Sequence, residues 1–341
     1  MRIAMYYNNK DIRIEEIPKP KIGSDELLVK NMACGICGSD VMEWYRIKKA
    51  PRVLGHEMTG KIVEIGEDVR NFKIGDRVFV SHHVPCNECV YCLNGHHTVC
   101  ETLHSTNFDP GGFSEFIRVP KINVEFGTFL LPDDMSFEEG TFIEPLGCVI
   151  RGQRRANIKP GNTVLVMASG ISGLLHIQLA RAFWAEKVIA TDVNEYRMKM
   201  AKKFGADEVI NAKEDVSARV KEINDGRLAD RVIVCTGAVP AIKQALESVD
   251  SSGTILYFAP TDPGIDILLP FNDFWMKQMT LTNTYAAAPV DIEEAIDLIR
   301  LRKINVNDMI THRFGLTEIA KGFQLVADAK ESIKVIIEPH R

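Results

Sequence analysis

The strongest constraint on the fold lies between Lys159 and Asn283, where short, wholly apolar runs alternate with helical segments. Thr163 to Met167 reads as a strand, Ser172 to Phe183 as a helix and Lys187 to Asp192 as a strand. A helix through Phe204, a strand at Glu208 to Ile210, a helix at Val216 to Ile223 and a strand at Asp230 to Cys235 follow. The helix at Pro240 to Val249 and the strands at Gly253 to Ala259 and Met279 to Asn283 complete the series. Strands that are apolar on both faces need a layer on each side, so the pattern predicts an α/β doubly wound parallel sheet.

The flanking residues are patterned differently. From Met1 to about Pro145, short strand-like runs are divided by Gly, Pro and Asp: Ile3 to Tyr7, Glu26 to Met32, Gly60 to Ile65, Arg77 to Val80 and Phe113 to Val119. That half is expected to be mostly β, a barrel or folded sheet. Because 341 residues exceed what one core usually supports, two domains are expected. Helices at Val290 to Leu301 and Leu316 to Ala327, and a strand at Ile333 to Ile337, are read as returning to pack on the N-terminal half.

After the strand ending at Met167 comes Ala168-Ser169-Gly170-Ile171-Ser172-Gly173, a G-x-G-x-x-G turn with alanine in the first place. Gly170 would admit the pyrophosphate of a dinucleotide close to the backbone, and Gly173 would let the helix pack on the strand. Asp192 ends the next strand, where a carboxylate can accept hydrogen bonds from both adenosine ribose hydroxyls and repel a 2′-phosphate. The expected cofactor is therefore NAD(H) rather than NADP(H), although nearby Arg197 works against excluding the phosphate. A plain strand-to-helix turn, and a helix N-cap at Asp192, are the competing readings.

Eight cysteines without a secretory signal favour metal binding over disulfides. Cys86-x2-Cys89-x2-Cys92-x7-Cys100 lets four thiolates converge on one tetrahedral ion, the arrangement of a structural zinc site. Buried free cysteines and an iron–sulfur cluster are the alternatives. Cys37, His56 and Glu57 offer a thiolate, an imidazole and a carboxylate, the side-chain types of an open zinc site. Cys34 is read as core, and Glu144, before Pro145, could simply end a helix. A net charge of −5 with mixed signs argues against a nucleic-acid partner, and no apolar run reaches bilayer length. A cytoplasmic location is expected.

The combination resembles the zinc-dependent medium-chain dehydrogenase/reductase family over essentially the whole chain. The matching motifs are CGICGSD at 34–40, GHE at 55–57, the cysteine lobe at 86–100, GGFSEF at 111–116 and EPLG at 144–147, together with the Rossmann half. GHE and EPL are similar to the polyol (sorbitol-type) branch, whereas DVNEYR at 192–197 and ITHRF at 310–314 are similar to L-threonine 3-dehydrogenases. The resemblance implies a GroES-like catalytic domain at 1–149 and 286–341, a Rossmann domain at 150–285 and an active site in a cleft. It further implies Cys37 and His56 as catalytic zinc ligands, Glu57 and Glu144 as carboxylates that bind zinc directly or in exchange, and Ser39 as the hydroxyl that passes the proton out. Zinc would polarise the hydroxyl of an alcohol substrate, and NAD would accept its hydride.

Two positions depart from relatives. Met42 stands where many carry a relay histidine, so the proton must leave through water, His82, His83 or Glu57. Thr282-Asn283-Thr284-Tyr285 lacks an arginine that touches substrate in polyol enzymes. Trp44, Tyr45, Phe108 and Phe113 are candidate pocket walls. The leading expectation is a dehydrogenase of a polyol, cyclitol or sugar derivative, with threonine 3-dehydrogenase and a non-catalytic zinc-stabilised nucleotide-binding protein as alternatives. A homo-oligomer, dimer or tetramer, is expected from the resemblance.

Overall fold

The computed structural model describes residues 1–341 and divides them into two compact units. One comprises Met1–Gly147, Ala286–Arg302 and Val306–Arg341, and the other comprises Cys148–Tyr285 with Lys303–Asn305.

The second unit is the doubly wound sheet. Its six parallel strands lie in the order Glu208–Asn211, Lys187–Asp192, Thr163–Met167, Ala229–Val234, Val249–Tyr257 and Thr280–Asn283. Thr163–Met167, at the point where the order reverses, is buried along its whole length, as expected of a strand covered on both faces. A helix at Phe271–Lys277, absent from the sequence reading, precedes the edge strand. No helix of the chain is long and apolar enough to cross a membrane.

The first unit is mostly β. Its largest sheet runs in the order Ile310–Gly315, Lys334–Glu338, Leu27–Gly35, Glu57–Ile65, Arg77–Val80 and Thr128–Leu130, with Phe116–Val119 also paired to Leu27–Gly35. The strand at Lys334–Glu338 inserts beside Leu27–Gly35, so the last stretch does return to the N-terminal half. Phe108 and Phe113 are only 2% and 1% exposed and belong to this core, which removes them as pocket walls. Glu144 does not end a helix: it lies in the first turn of Ile143–Ala156. Pro145 follows it there, where a missing N–H has no helical partner to lose.

Candidate metal centres and nucleotide turn

Register explains how the open site is gathered. In the antiparallel pair of Leu27–Gly35 with Glu57–Ile65, Gly35 faces Glu57. The chain then turns through Cys37, which caps the short helix Gly38–Asp40. The Ser39 amide donates to Cys37 Sγ at 3.4 Å, and the Cys37 amide donates to Asp40 Oδ2 at 3.1 Å. One ligand atom each from Cys37, His56 and Glu57 lies within 4.8 Å of the others. Glu144, 8% exposed, stands outside that group.

The surroundings suit a cation. Asp40 is fully buried, with Oδ1 3.5 Å from His56 Nδ1, so Nε2 is the nitrogen left for a metal. A carboxylate on the far imidazole nitrogen is the usual second support of a metal-ligating histidine. Burial opposes ionisation of Asp40, but His56, Arg46 and the Cys37 amide together hold its carboxyl below the ordinary range. Burial likewise opposes a charge on His56, yet Asp40 and Cys37 raise its affinity for a proton well above normal. A place that draws a proton so strongly between a thiol and a carboxylate fits a divalent ion there.

Two features of this site escaped the sequence reading. Lys334 is 0% exposed, and its Nζ hydrogen-bonds Glu57 Oε2, itself on a residue 1% exposed. The pair fills the space over Gly35, where a Cβ would overlap both side chains. Arg46 is the second: its Nε donates to the Ser39 carbonyl at 2.9 Å and its Nη2 to Ser39 Oγ at 2.8 Å. Ser39 Oγ accepts that bond and keeps its own hydrogen to give. Beside His56, the rings of His82 and His83 continue a row, with centroids 4.8 Å and then 3.8 Å apart. Burial above all, then neighbouring positive charges, holds His82 far below its usual pKa. Trp44 and Tyr45 pack edge to face at 5.8 Å.

The four-cysteine lobe passes a sharper test. A zinc–sulfur bond of about 2.3 Å in a tetrahedron places sulfurs about 3.8 Å apart. Here Cys89–Cys92, Cys86–Cys100 and Cys86–Cys92 are separated by 3.5, 3.6 and 4.0 Å. These are far longer than a disulfide bond of about 2 Å. The donor set fits one four-thiolate ion.

The glycine-rich turn forms despite its alanine, because Ala168 adopts φ +74°. Gly170 caps the helix Ile171–Ala182 without a side-chain bond, leaving the amides of its first turn for an anion. A Cβ on Gly173 would collide with the Ala168 carbonyl. Asp192 is 5% exposed; its Oδ2 accepts from the Ser169 amide at 2.8 Å and its Oδ1 from the Asn194 amide at 2.9 Å. Asn194, not Asp192, caps the following helix Glu195–Lys203. Arg197 reaches back over the turn, with Cζ and Nη1 3.9 Å from where a Gly170 Cβ would sit.

Fold and donor sets together define a two-unit, metal- and dinucleotide-binding oxidoreductase. Residues 23–126 match the alcohol dehydrogenase GroES-like domain, and residues 172–300 match the zinc-binding dehydrogenase domain. A sorbitol dehydrogenase of Bacillus subtilis is 32% identical over 357 residues, covering 100% of this chain and 98% of its own. The chain belongs to the zinc-dependent medium-chain alcohol dehydrogenase family. A zinc-binding dehydrogenase from Sinorhizobium meliloti bound to NADP superposes with a TM-score of 0.88 at 27% identity, covering 99% of each chain. An Escherichia coli alcohol dehydrogenase complexed with NADH gives a TM-score of 0.88 at 26% identity, again covering 99% of each. The protein is thus a zinc- and nicotinamide-dependent alcohol dehydrogenase.

Proposed function

We propose that this enzyme oxidises a secondary alcohol of a polyol, cyclitol or sugar derivative with NAD, and reduces the corresponding ketone. The observation that carries the reading is the convergence of Cys37, His56 and Glu57 within 4.8 Å, with Asp40 behind His56. Bound zinc would supply a Lewis acid for the alcohol oxygen, and the nicotinamide would supply the hydride acceptor. Cys37, His56 and Glu57 hold the ion, with Glu144 available for exchange. Asp40 fixes the imidazole tautomer, and Ser39, oriented by Arg46, takes up the hydroxyl proton. Cys86, Cys89, Cys92 and Cys100 hold the structural zinc. The amides around Gly170, Ile171, Ser172 and Gly173 receive the pyrophosphate, with Asp192 and Arg197 at the adenosine ribose. Similarity to a sorbitol dehydrogenase supports the polyol class.

The test is a panel of polyols, inositols and L-threonine with NAD, followed by the absorbance of reduced nicotinamide. Polyol or inositol turnover is expected, together with about two zinc ions per chain. Turnover of threonine alone would transfer the assignment to the threonine branch. Full activity in Cys37→Ala would sink the zinc mechanism. For the cofactor, Asp192→Ala is expected to narrow the preference for NAD over NADP, and an unchanged ratio would remove the ribose role.

The family's thiolate ligands need a reducing compartment, which supports a cytoplasmic location. We further propose a homodimer through Thr280–Asn283, the edge strand of the parallel sheet. Unpaired edge groups can pair with a copy of themselves, and the adjacent Leu268, Phe271, Trp275 and Met276 are 93%, 75%, 69% and 66% exposed. Light scattering of Trp275→Glu should show a monomer where the parent shows a dimer. A monomeric parent would overturn this assembly.

A further inference from the structure

Antiparallel register carries a second histidine to the candidate metal group. Arg77–Val80 pairs with Glu57–Ile65 so that Val80 faces Met58 and Phe79 faces Thr59. Continued two residues past the end of the ladder, that register sets residue 82 opposite residue 56. Opposite residues of an antiparallel pair bring their side chains to one face. The rings of His56 and His82 do meet, with centroids 4.8 Å apart and planes at 51°.

The main chain fixes His82 from both sides. The Ser81 amide donates to the Gly127 carbonyl at 2.7 Å, and Ser81 Oγ donates to the His83 carbonyl at 3.0 Å. Buried Asn123 donates from Nδ2 to the Ser81 carbonyl at 2.8 Å and to the His82 carbonyl at 3.4 Å. His83 packs on His82 with centroids 3.8 Å apart, which limits rotation of the ring. The ring of His82 is nevertheless only half-buried. Its Nδ1 lies on the enclosed side with no hydrogen-bond partner, and a hydrogen placed there would find no acceptor. The hydrogen therefore belongs on Nε2, which donates outward whether the imidazole is neutral or charged.

The neighbour of this donor determines what it meets. His56 belongs with Cys37 and Glu57 to the group where the dehydrogenase reading places the alcohol oxygen. A donor one ring away lies where the substituent on the adjacent carbon would stand. If that substituent were hydrogen, the N–H would lose its water and gain no acceptor, so such a substrate is disfavoured.

We propose that His82 is a specificity-determining residue for vicinal diols, its Nε2 donating to the hydroxyl oxygen on the carbon next to the one oxidised. The proposal rests on the dehydrogenase reading above and assigns a residue to its choice of polyols.

The experiment compares cis-1,2-cyclohexanediol, cis-1,3-cyclohexanediol and cyclohexanol as substrates of the zinc-loaded enzyme with NAD, in the parent, His82→Phe and His82→Gln. In the parent the 1,2-diol is expected to exceed the other two in kcat/KM by about tenfold. His82→Phe keeps an aromatic ring and should erase most of that ratio, whereas His82→Gln keeps an N–H donor and should retain most of it. A histidine that only supports the fold would lower all three substrates together with the ratio intact, and that result would overturn the proposal. So would a parent that treats the three alcohols alike, or a ratio lost equally in both variants. Calorimetric titration of the zinc-loaded protein with each alcohol, without NAD, reads binding apart from turnover. The 1,2-diol should bind about tenfold more weakly to His82→Phe than to the parent, and equal binding removes the contact. If no alcohol of this series or of the wider panel is turned over, the dehydrogenase reading fails, and the calorimetric comparison still decides the contact.

Discussion

At the scale of single residues, Glu57 is the position on which most depends, because it belongs both to the candidate metal group with Cys37 and His56 and to the buried ion pair with Lys334. Removing water from two opposite charges is expensive, and the loss is greatest when only one charge remains. Lys334→Met should destabilise the metal-free protein by about 3–5 kcal/mol, read from its denaturation midpoint, with zinc recovering part of the loss. A midpoint unchanged from the parent would mean that Glu57 finds another partner. The grouping of Cys37, His56 and Glu57 was legible, since thiolate, imidazole and carboxylate stand in recognisable motifs. Lys334 was not: a lysine opening an apolar strand usually reaches solvent. Its partner lies 277 residues away, beyond any pattern that spacing can carry. Arg46 was missed for a related reason, since an arginine in a basic stretch reads as solvated surface until its guanidinium proves fixed on Ser39.

At the scale of elements, strand and helix identity in the parallel sheet was readable because apolar runs covered on both faces leave a plain signature. The lobe of four cysteines was readable because its geometry is local. Irregular elements were harder. The short strand Asp11–Glu16 is largely polar, and it forms because it pairs antiparallel with Arg2–Asn8. The glycine-rich turn shows how tertiary context overrides a local preference: Ala168 is held at φ +74° by the helix behind it and by its amide bond to the Thr191 carbonyl, at 3.0 Å. Non-glycine residues resist that conformation. Ala168→Gly should stabilise the turn by about 1 kcal/mol, seen as a higher thermal midpoint, and a lower midpoint would show that the alanine methyl contributes packing that outweighs its strain.

At the scale of the whole molecule, acid sensitivity has an identifiable source in the Rossmann unit. His176 is 0% exposed, its Nε2 has no partner, and burial alone pushes its pKa down to about 3. The unfolded chain takes up this proton near pH 6.5, well before the folded one does. Stability from this residue is therefore complete above that value and is lost as pH falls towards about 3. The effect is on the order of 5 kcal/mol. His176→Leu should flatten that slope, because Gln153 still donates to the backbone carbonyl of residue 176. A slope unchanged in the variant would place the acid sensitivity elsewhere.

The ion pair joining Glu57 to Lys334 also sets an order of events during synthesis. All four sulfurs of the cysteine lobe leave the ribosome within fifteen residues, so that lobe can take up its metal while most of the chain is still unmade. Cys37, His56 and Glu57 emerge earlier still, but the lysine that neutralises Glu57 arrives only after the entire nucleotide-binding unit. Until then the group carries an uncompensated carboxylate and lacks the strand that pairs beside Leu27–Gly35. One candidate metal group is thus complete in the chain early, and the other gains its compensating lysine only in a chain that has already made the nucleotide-binding unit.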